Sequence, residues 1–163
     1  MRAAADLGAS GSDGGAKQHD RSPVLFVEDV ETDFELARHH LTRIRLLNPV
    51  HRVATVQELG AYMRRSGQFS ELKNTPLPAV VVLDMILQQT SGVEAITILR
   101  ANFHWRKIPT IILSIPERMA AIKTTIELGA NAFMLKPFNT EEFCRLAINL
   151  RLPLAFQADS PAA

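Results

Sequence analysis

Asp84 is the residue around which chemistry in this chain is organised. It closes AVVVLD, a run of apolar and β-branched residues that reads as a strand buried on both faces. An ionised carboxylate there needs a partner or solvent. The pattern recurs: VLFV runs into Glu28 and Asp29, IPTIIL ends at Ser114, and the run Ala132 to Leu135 ends at Lys136. If these ends meet at one edge, three carboxylates repel one another unless a cation lies among them. An all-oxygen donor set favours a hard ion, Mg²⁺, with waters completing the octahedron. The Ser114 hydroxyl and Lys136 ammonium then offer donors to an anion held against the cation, as a phosphoryl group would be. In that setting Asp84 is the natural nucleophile, because carboxylates form acyl phosphates and the metal with Lys136 neutralises the transferring oxygens.

The elements that must deliver these residues follow from periodicity. Val24–Val27 reads as a strand, and from Glu31 the spacing of Phe34, Ala37, Leu41 and Ile44 is that of one helical face. Acidic residues at its start and basic ones at its end suit the helix dipole. A weaker strand, Val50–Thr55, is interrupted by His51 and Arg52, and a short helix spans Gln57–Arg65. The polar stretch SGQFSELKNTPLP reads as an irregular connection, neutral or mobile. Beyond Asp84, Gly92 precedes a helix marked by Val93, Ile96 and Leu99, Pro116 opens a fourth helix that Gly129 closes, and Thr140 is the expected cap of a last helix over Glu141–Arg151. Strands alternating with helices predict an α/β, flavodoxin-like doubly wound parallel sheet of five strands in the order 2-1-3-4-5, with five helices. That order makes strands 1 and 3 neighbours, so Glu28, Asp29 and Asp84 converge on one crevice at the carboxyl ends.

Composition narrows the alternatives. A chain of 163 residues, 47% apolar, suits one globular domain with a full core. Its 18 basic and 17 acidic residues nearly cancel, so neither a nucleic-acid footprint nor adhesion to an anionic membrane is implied. No apolar run approaches the ~20 residues of a membrane span and no signal-peptide core is present, so a cytoplasmic protein is expected. The single cysteine, Cys144, excludes a disulfide framework and reads as a buried structural residue. The histidines lack metal-ligand spacing, and Trp105 reads as a packing residue in a loop. Residues 1–22, rich in Gly, Ser and Ala, are expected to form a flexible tail, 23–151 the folded domain and 152–163 a C-terminal extension.

Taken together these motifs resemble a response-regulator receiver domain of a two-component system. VLFVED resembles the family's first strand with its acidic pair; Asp84 followed eight residues later by Gly92 matches the phosphoacceptor and its glycine; Ser114 stands where the family keeps Ser or Thr; and LGANAFMLKPF matches the segment carrying the switch aromatic, here Phe133, and a cis Lys-Pro pair, Lys136 and Pro137. The connection before strand 3 and ILRANFHWRKIPTIIL resemble the phytochrome-associated group of single-domain receivers. The resemblance implies that Asp84 accepts a phosphoryl group from a sensor histidine kinase, of phytochrome type. It also implies that Mg²⁺ is held by Asp29, Asp84 and the Ile86 backbone carbonyl, with Glu28 acting through water. The chain would then be a signalling domain rather than a classical enzyme. Output is expected through contact with a downstream protein, without nucleic acid or membrane, from a face built of helix 4, strand 5 and helix 5 that is also a candidate homodimer surface. Leu152, Leu154 and Phe156 are expected either to extend that surface or to fold back on the domain.

The departures are as informative. Gln88 stands where the family often has Pro, and the bulky Ile115 follows Ser114 where a small residue is usual, so Ile115 is expected to narrow access to Asp84. Phe133 lacks the hydroxyl of a switch tyrosine. An alternative is therefore an unphosphorylated interaction module on the same fold, occluded by Ile115. An aspartyl phosphatase is disfavoured, because Ile86 occupies the place of the second aspartate such enzymes use.

Overall fold

A computed structural model of the protein describes residues 21–158. The strands β1 (Val24–Val27), β2 (Val50–Val53), β3 (Val80–Asp84), β6 (Thr110–Ser114) and β7 (Ala132–Leu135) form one parallel sheet in the order β2-β1-β3-β6-β7. Counted along the main sheet, this is the expected 2-1-3-4-5 flavodoxin-like order. A separate antiparallel hairpin, β4 (Ile86–Leu87) with β5 (Thr90–Ser91), lies between β3 and the next helix. The helices are α1 (Glu31–Arg43), α2 (Val56–Arg64), α3 (Gly92–Ala101), α4 (Met119–Glu127) and α5 (Thr140–Asn149).

Alternation along each buried strand divides the core in two. Leu25, Val27, Val81, Leu83 and Ile112 face α2 and α3 through Leu59, Tyr62, Ile96 and Leu99. Val24, Phe26, Val80, Val82, Ile111 and Leu113 face α1 and α5 through Phe34, Ala37, Leu41 and Phe143. Central parallel strands covered on both faces read as unbroken apolar runs, which is why β3 and β6 are legible in the sequence. Helix ends obey local chemistry. The hydroxyls of Thr55 and Ser91 accept from the N–H groups of Glu58 and Glu94, capping α2 and α3. At α5 the cap is Asn139, whose side chain accepts from Glu142 N, so the cap stands one residue before the expected Thr140.

Two further expectations change, and one pair of alternatives is decided. The connection 66–78 is not irregular throughout: Gly67–Asn74 is a 3₁₀ helix, and Phe69 packs edge-on against Tyr62 with ring centroids 5.2 Å apart. Tyr62 also meets Trp105, whose side chain is buried, so this aromatic group pins the connection to the core. Cys144 is half-buried rather than fully buried, and burial pushes its thiol pKa up, which makes it a poor nucleophile. The C-terminal segment folds back: Leu47 N donates to Ala155 O at 2.8 Å, Gln157 N to Arg45 O at 2.9 Å, and Phe156 bridges Leu46. Residues 1–20, nearly all of the expected tail, lie outside the described residues.

Candidate functional site

Sheet register alone brings the chemistry together. β1 pairs Val27 with Leu83 of β3, so Glu28 and Asp84 follow as the next residues of neighbouring strands. β3 pairs Asp84 with Leu113 of β6, and β6 pairs Ser114 with Leu135 of β7, so Ser114 and Lys136 come next along the same edge. Parallel strands release all these residues at one carboxyl edge.

Within this edge Asp84 is 3% exposed and Glu28 2%. One oxygen of Asp84 (Oδ1) accepts from Ile86 N at 2.9 Å, and Oδ2 lies 2.8 Å from Lys136 Nζ. The ammonium also reaches Asp33 Oδ2 at 3.2 Å and Glu28 Oε2 at 3.6 Å. Burial alone would lower the Lys136 pKa, but Asp84, through both hydrogen bond and charge, with Glu28 and Asp33 behind it, raises it above the ordinary lysine range. Glu28 shows the opposite stress. Burial first, then the negative charge of Asp84, pushes its carboxyl up to about 7, although Val30 N donates to it at 3.0 Å.

Oxygens of Glu28, Asp29 and Asp84 lie within 4.8 Å of one another. Asp29 Oδ2 accepts from Gln88 N at 2.8 Å, whereas Asp29 Oδ1 is buried with no hydrogen-bond partner. Three converging carboxylates, one oxygen orphaned and one carboxyl pushed toward neutrality, are what a divalent cation would relieve. The residues present therefore fit such an ion.

The remaining expected residues are accounted for individually. Ser114 is buried, its backbone carbonyl accepts from Lys136 N at 2.7 Å, and its hydroxyl lies 3.4 Å from the Ile115 carbonyl. Ile115 is half-buried. Ile86 lies in β4, its N–H on Asp84 and its side chain outward. Phe133 is 39% exposed on β7, away from the charged group's immediate contacts. The Lys136–Pro137 peptide bond is cis. Gly92 is explained by space: a Cβ there would lie 3.0 Å from Met85 Cα and 3.1 Å from the Asp84 carbonyl oxygen, so a larger residue would push the start of α3 and the end of β3 apart by a few tenths of an ångström.

Two residues at the site have no clear signal in the sequence. Asp33 is legible there only as an acidic residue of a helix start, but it contacts Lys136 across the crevice. Arg52, which in sequence interrupts β2, donates through Nε to Glu28 O at 2.8 Å and through a terminal nitrogen to Asp29 O at 3.0 Å. It grips the backbone that carries both acidic residues.

Comparison with known proteins agrees with this arrangement. Residues 24–148 match the family model described as response regulator receiver domain. The response regulator Rcp1 of Synechocystis is 24% identical over 123 residues, covering 76% of this chain and 82% of Rcp1. The regulatory protein VirG of Agrobacterium tumefaciens is 31% identical over 144 residues, 87% of this chain; the chain spans about half of VirG, 48% of its length. The solved bacteriophytochrome response regulator RtBRR superposes with a TM-score of 0.73 at 30% identity, over 86% of this chain and 84% of that one.

Proposed function

The chain belongs to the response regulator receiver domain family, and from that membership we propose that Asp84 is its phosphoacceptor. An Asp84 oxygen attacks the phosphorus of a partner kinase's phosphohistidine; the O–P bond forms as the N–P bond breaks, and the imidazole nitrogen keeps the electron pair. Lys136 neutralises the transferring oxygens, and the Ser114 hydroxyl turns toward the phosphoryl group once it is in place. Asp29, Asp84, the Ile86 carbonyl and Glu28 would hold Mg²⁺, which when bound would screen the charge gathered at the phosphoryl group. The observation that carries this reading is the single edge at which Asp84 meets Lys136 at 2.8 Å beside an acidic pair with an unpartnered oxygen. A solved Mn²⁺-bound form of Rcp1 supports the choice of a divalent ion. The name of RtBRR supports a phytochrome-type kinase as donor.

Output runs through the face of α4, β7 and α5. Met119, Ile126, Phe133, Leu135 and Ile148 are exposed there, which supports a downstream protein or a second copy as occupant. Phosphorylation biases that face between two arrangements, with Phe133 as the responding aromatic.

The test is mass spectrometry of the protein with acetyl phosphate and Mg²⁺. Wild type is expected to gain one phosphoryl group and Asp84→Asn none. Wild type that gains nothing with any small donor or kinase would leave the unphosphorylated interaction module as the better reading.

A further inference from the structure

Lys136 is held at one more place than the acidic group accounts for. It leaves the end of β7 and crosses β6 to reach the crevice at β3, and its ammonium, with three donors, meets three carboxylates: Asp84 at 2.8 Å, Asp33 at 3.2 Å and Glu28 at 3.6 Å. Asp84 and Glu28 belong to the group whose oxygens converge with those of Asp29. Asp33 stands outside that group, on the first turn of α1, with its side chain 46% exposed. An acidic residue there also suits the helix dipole, but Glu31 in the same turn already supplies that charge. Asp33 and Lys136 line one cavity of about 230 Å³ together with Leu36, Leu113, Pro137 and Phe138, so apolar walls lie beside the pair and strengthen it.

We infer that Asp33 is a positioning residue for Lys136, holding the ammonium at the exposed side of the crevice where the phosphoryl oxygens arrive. The inference rests on the proposed phosphorylation of Asp84 and adds a residue from outside the acidic group. As the O–P bond forms, the charge of Asp84 passes outward onto the phosphoryl oxygens, and Asp84 and Glu28 turn toward the cation. Their hold on the lysine weakens. Asp33 is engaged by neither, so it keeps one donor fixed while another turns from Asp84 to a phosphoryl oxygen. A lysine chain left free would have to be ordered during the transfer itself.

The test times phosphoryl uptake by the full chain from acetyl phosphate, which passes its phosphoryl group to Asp84 while acetate leaves with the electron pair. Wild type, Asp33→Ala and Asp33→Asn are compared at saturating Mg²⁺. Both substitutions remove the same charge, and only asparagine keeps an oxygen that can accept from Lys136. Asp33→Ala is expected to react roughly five- to tenfold more slowly, the scale of one partly exposed hydrogen bond to a charged group, and Asp33→Asn to recover most of that rate. Mn²⁺ affinity by isothermal titration is expected to match wild type in both variants, because Asp33 lies outside the acidic group.

Asp33→Ala that reacts as fast as wild type, or faster, overturns the inference and leaves Asp84 as the phosphoacceptor. So do equal rates in the two variants, which would make the charge and not the contact the cause, and so does a fall in Mn²⁺ affinity that matches the fall in rate. Wild type that takes up no phosphoryl group overturns both. NMR needs no variant: in wild type loaded with Mg²⁺ and beryllofluoride, a mimic of the phosphoryl group, a hydrogen-bond coupling between Lys136 Nζ and the Asp33 carboxyl carbon is expected. Its absence overturns the inference even if Asp33→Ala fails to fold.

Discussion

The two edges of the sheet both bury polar groups, and they treat them in opposite ways. At the amino edge Asn48, 3% exposed, has both side-chain polar atoms engaged: Nδ2 donates to Ser22 O at 2.8 Å and to Pro153 O at 3.1 Å, and Oδ1 accepts from Ala155 N at 2.7 Å. It ties the start of β1, the approach to β2 and the C-terminal segment together. At the carboxyl edge the carboxylates are crowded, Glu28 is pushed toward neutrality, and Asp29 Oδ1 has no partner. A satisfied buried polar group is a structural clamp. A strained one is held for something that is to arrive, because folding alone leaves its cost unrelieved.

Substitutions at the two edges should therefore separate function from stability. Asp84→Asn is the largest functional change, with complete loss of phosphoryl uptake expected. Urea denaturation should place its stability within about 1 kcal/mol of wild type, because losing the Lys136 pair is offset by relief of Glu28. A collapse of the fold in that variant would erase the contrast. Asn48→Ala should do the reverse. It strands Ala155 N and two carbonyls, and a loss of roughly 2–4 kcal/mol is expected, with Mn²⁺ affinity unchanged in the folded protein. Stability equal to wild type would show the clamp to be ornamental.

The strain at the carboxyl edge also has a pH signature. Glu28 has a folded pKa near 7, above its unfolded value of 4.5. The stability it lends is fully present below the unfolded value and is lost as pH rises through about 7. Metal-free protein in EDTA should accordingly melt lower at about pH 8 than at about pH 5, and Mg²⁺ should narrow the gap. A melting temperature that rises across this window would contradict the assignment of Glu28 as the stressed group. The smallest effect is expected at Arg52. Arg52→Ala frees two loop carbonyls at a half-buried position, and a loss of about 1 kcal/mol in stability is expected, with Mn²⁺ binding weakened by less than about tenfold. A loss of Mn²⁺ affinity beyond about tenfold would make the arginine a principal support of Asp29.

Much of the carboxyl edge is legible in the order of residues alone. Unbroken apolar runs mark β1, β3 and β6, and each runs into a polar or charged residue that burial does not tolerate without cause. The hairpin β4–β5 is not legible, because strands of two residues have no period and Gln-Gln is not a turn signature. The 3₁₀ helix over Gly67–Asn74 is hidden for a related reason: it is anchored by Phe69 on Tyr62, a contact that no local pattern encodes. Arg52 reads as a defect in a strand. It is on an edge strand, free to reach back to β1, and its value lies in carbonyls more than twenty positions away.

The sequence by itself determined which residues would stand at the ends of buried strands, since alternation, apolar runs and charge are written into neighbouring positions. It also carried the residues on which the chain resembles its family, from Glu28 and Asp29 through Asp84 and Ser114 to Lys136. Tertiary structure decided how each oxygen there is satisfied: that Lys136 is shared by Asp84, Glu28 and Asp33, that Gln88 takes one oxygen of Asp29, and that the other is left open. The same holds for Asn48 and the C-terminal segment, whose partners lie 105 and 107 positions apart. A hydrogen bond across such separations is set by sheet register and loop closure, and neither has a local signature in the chain.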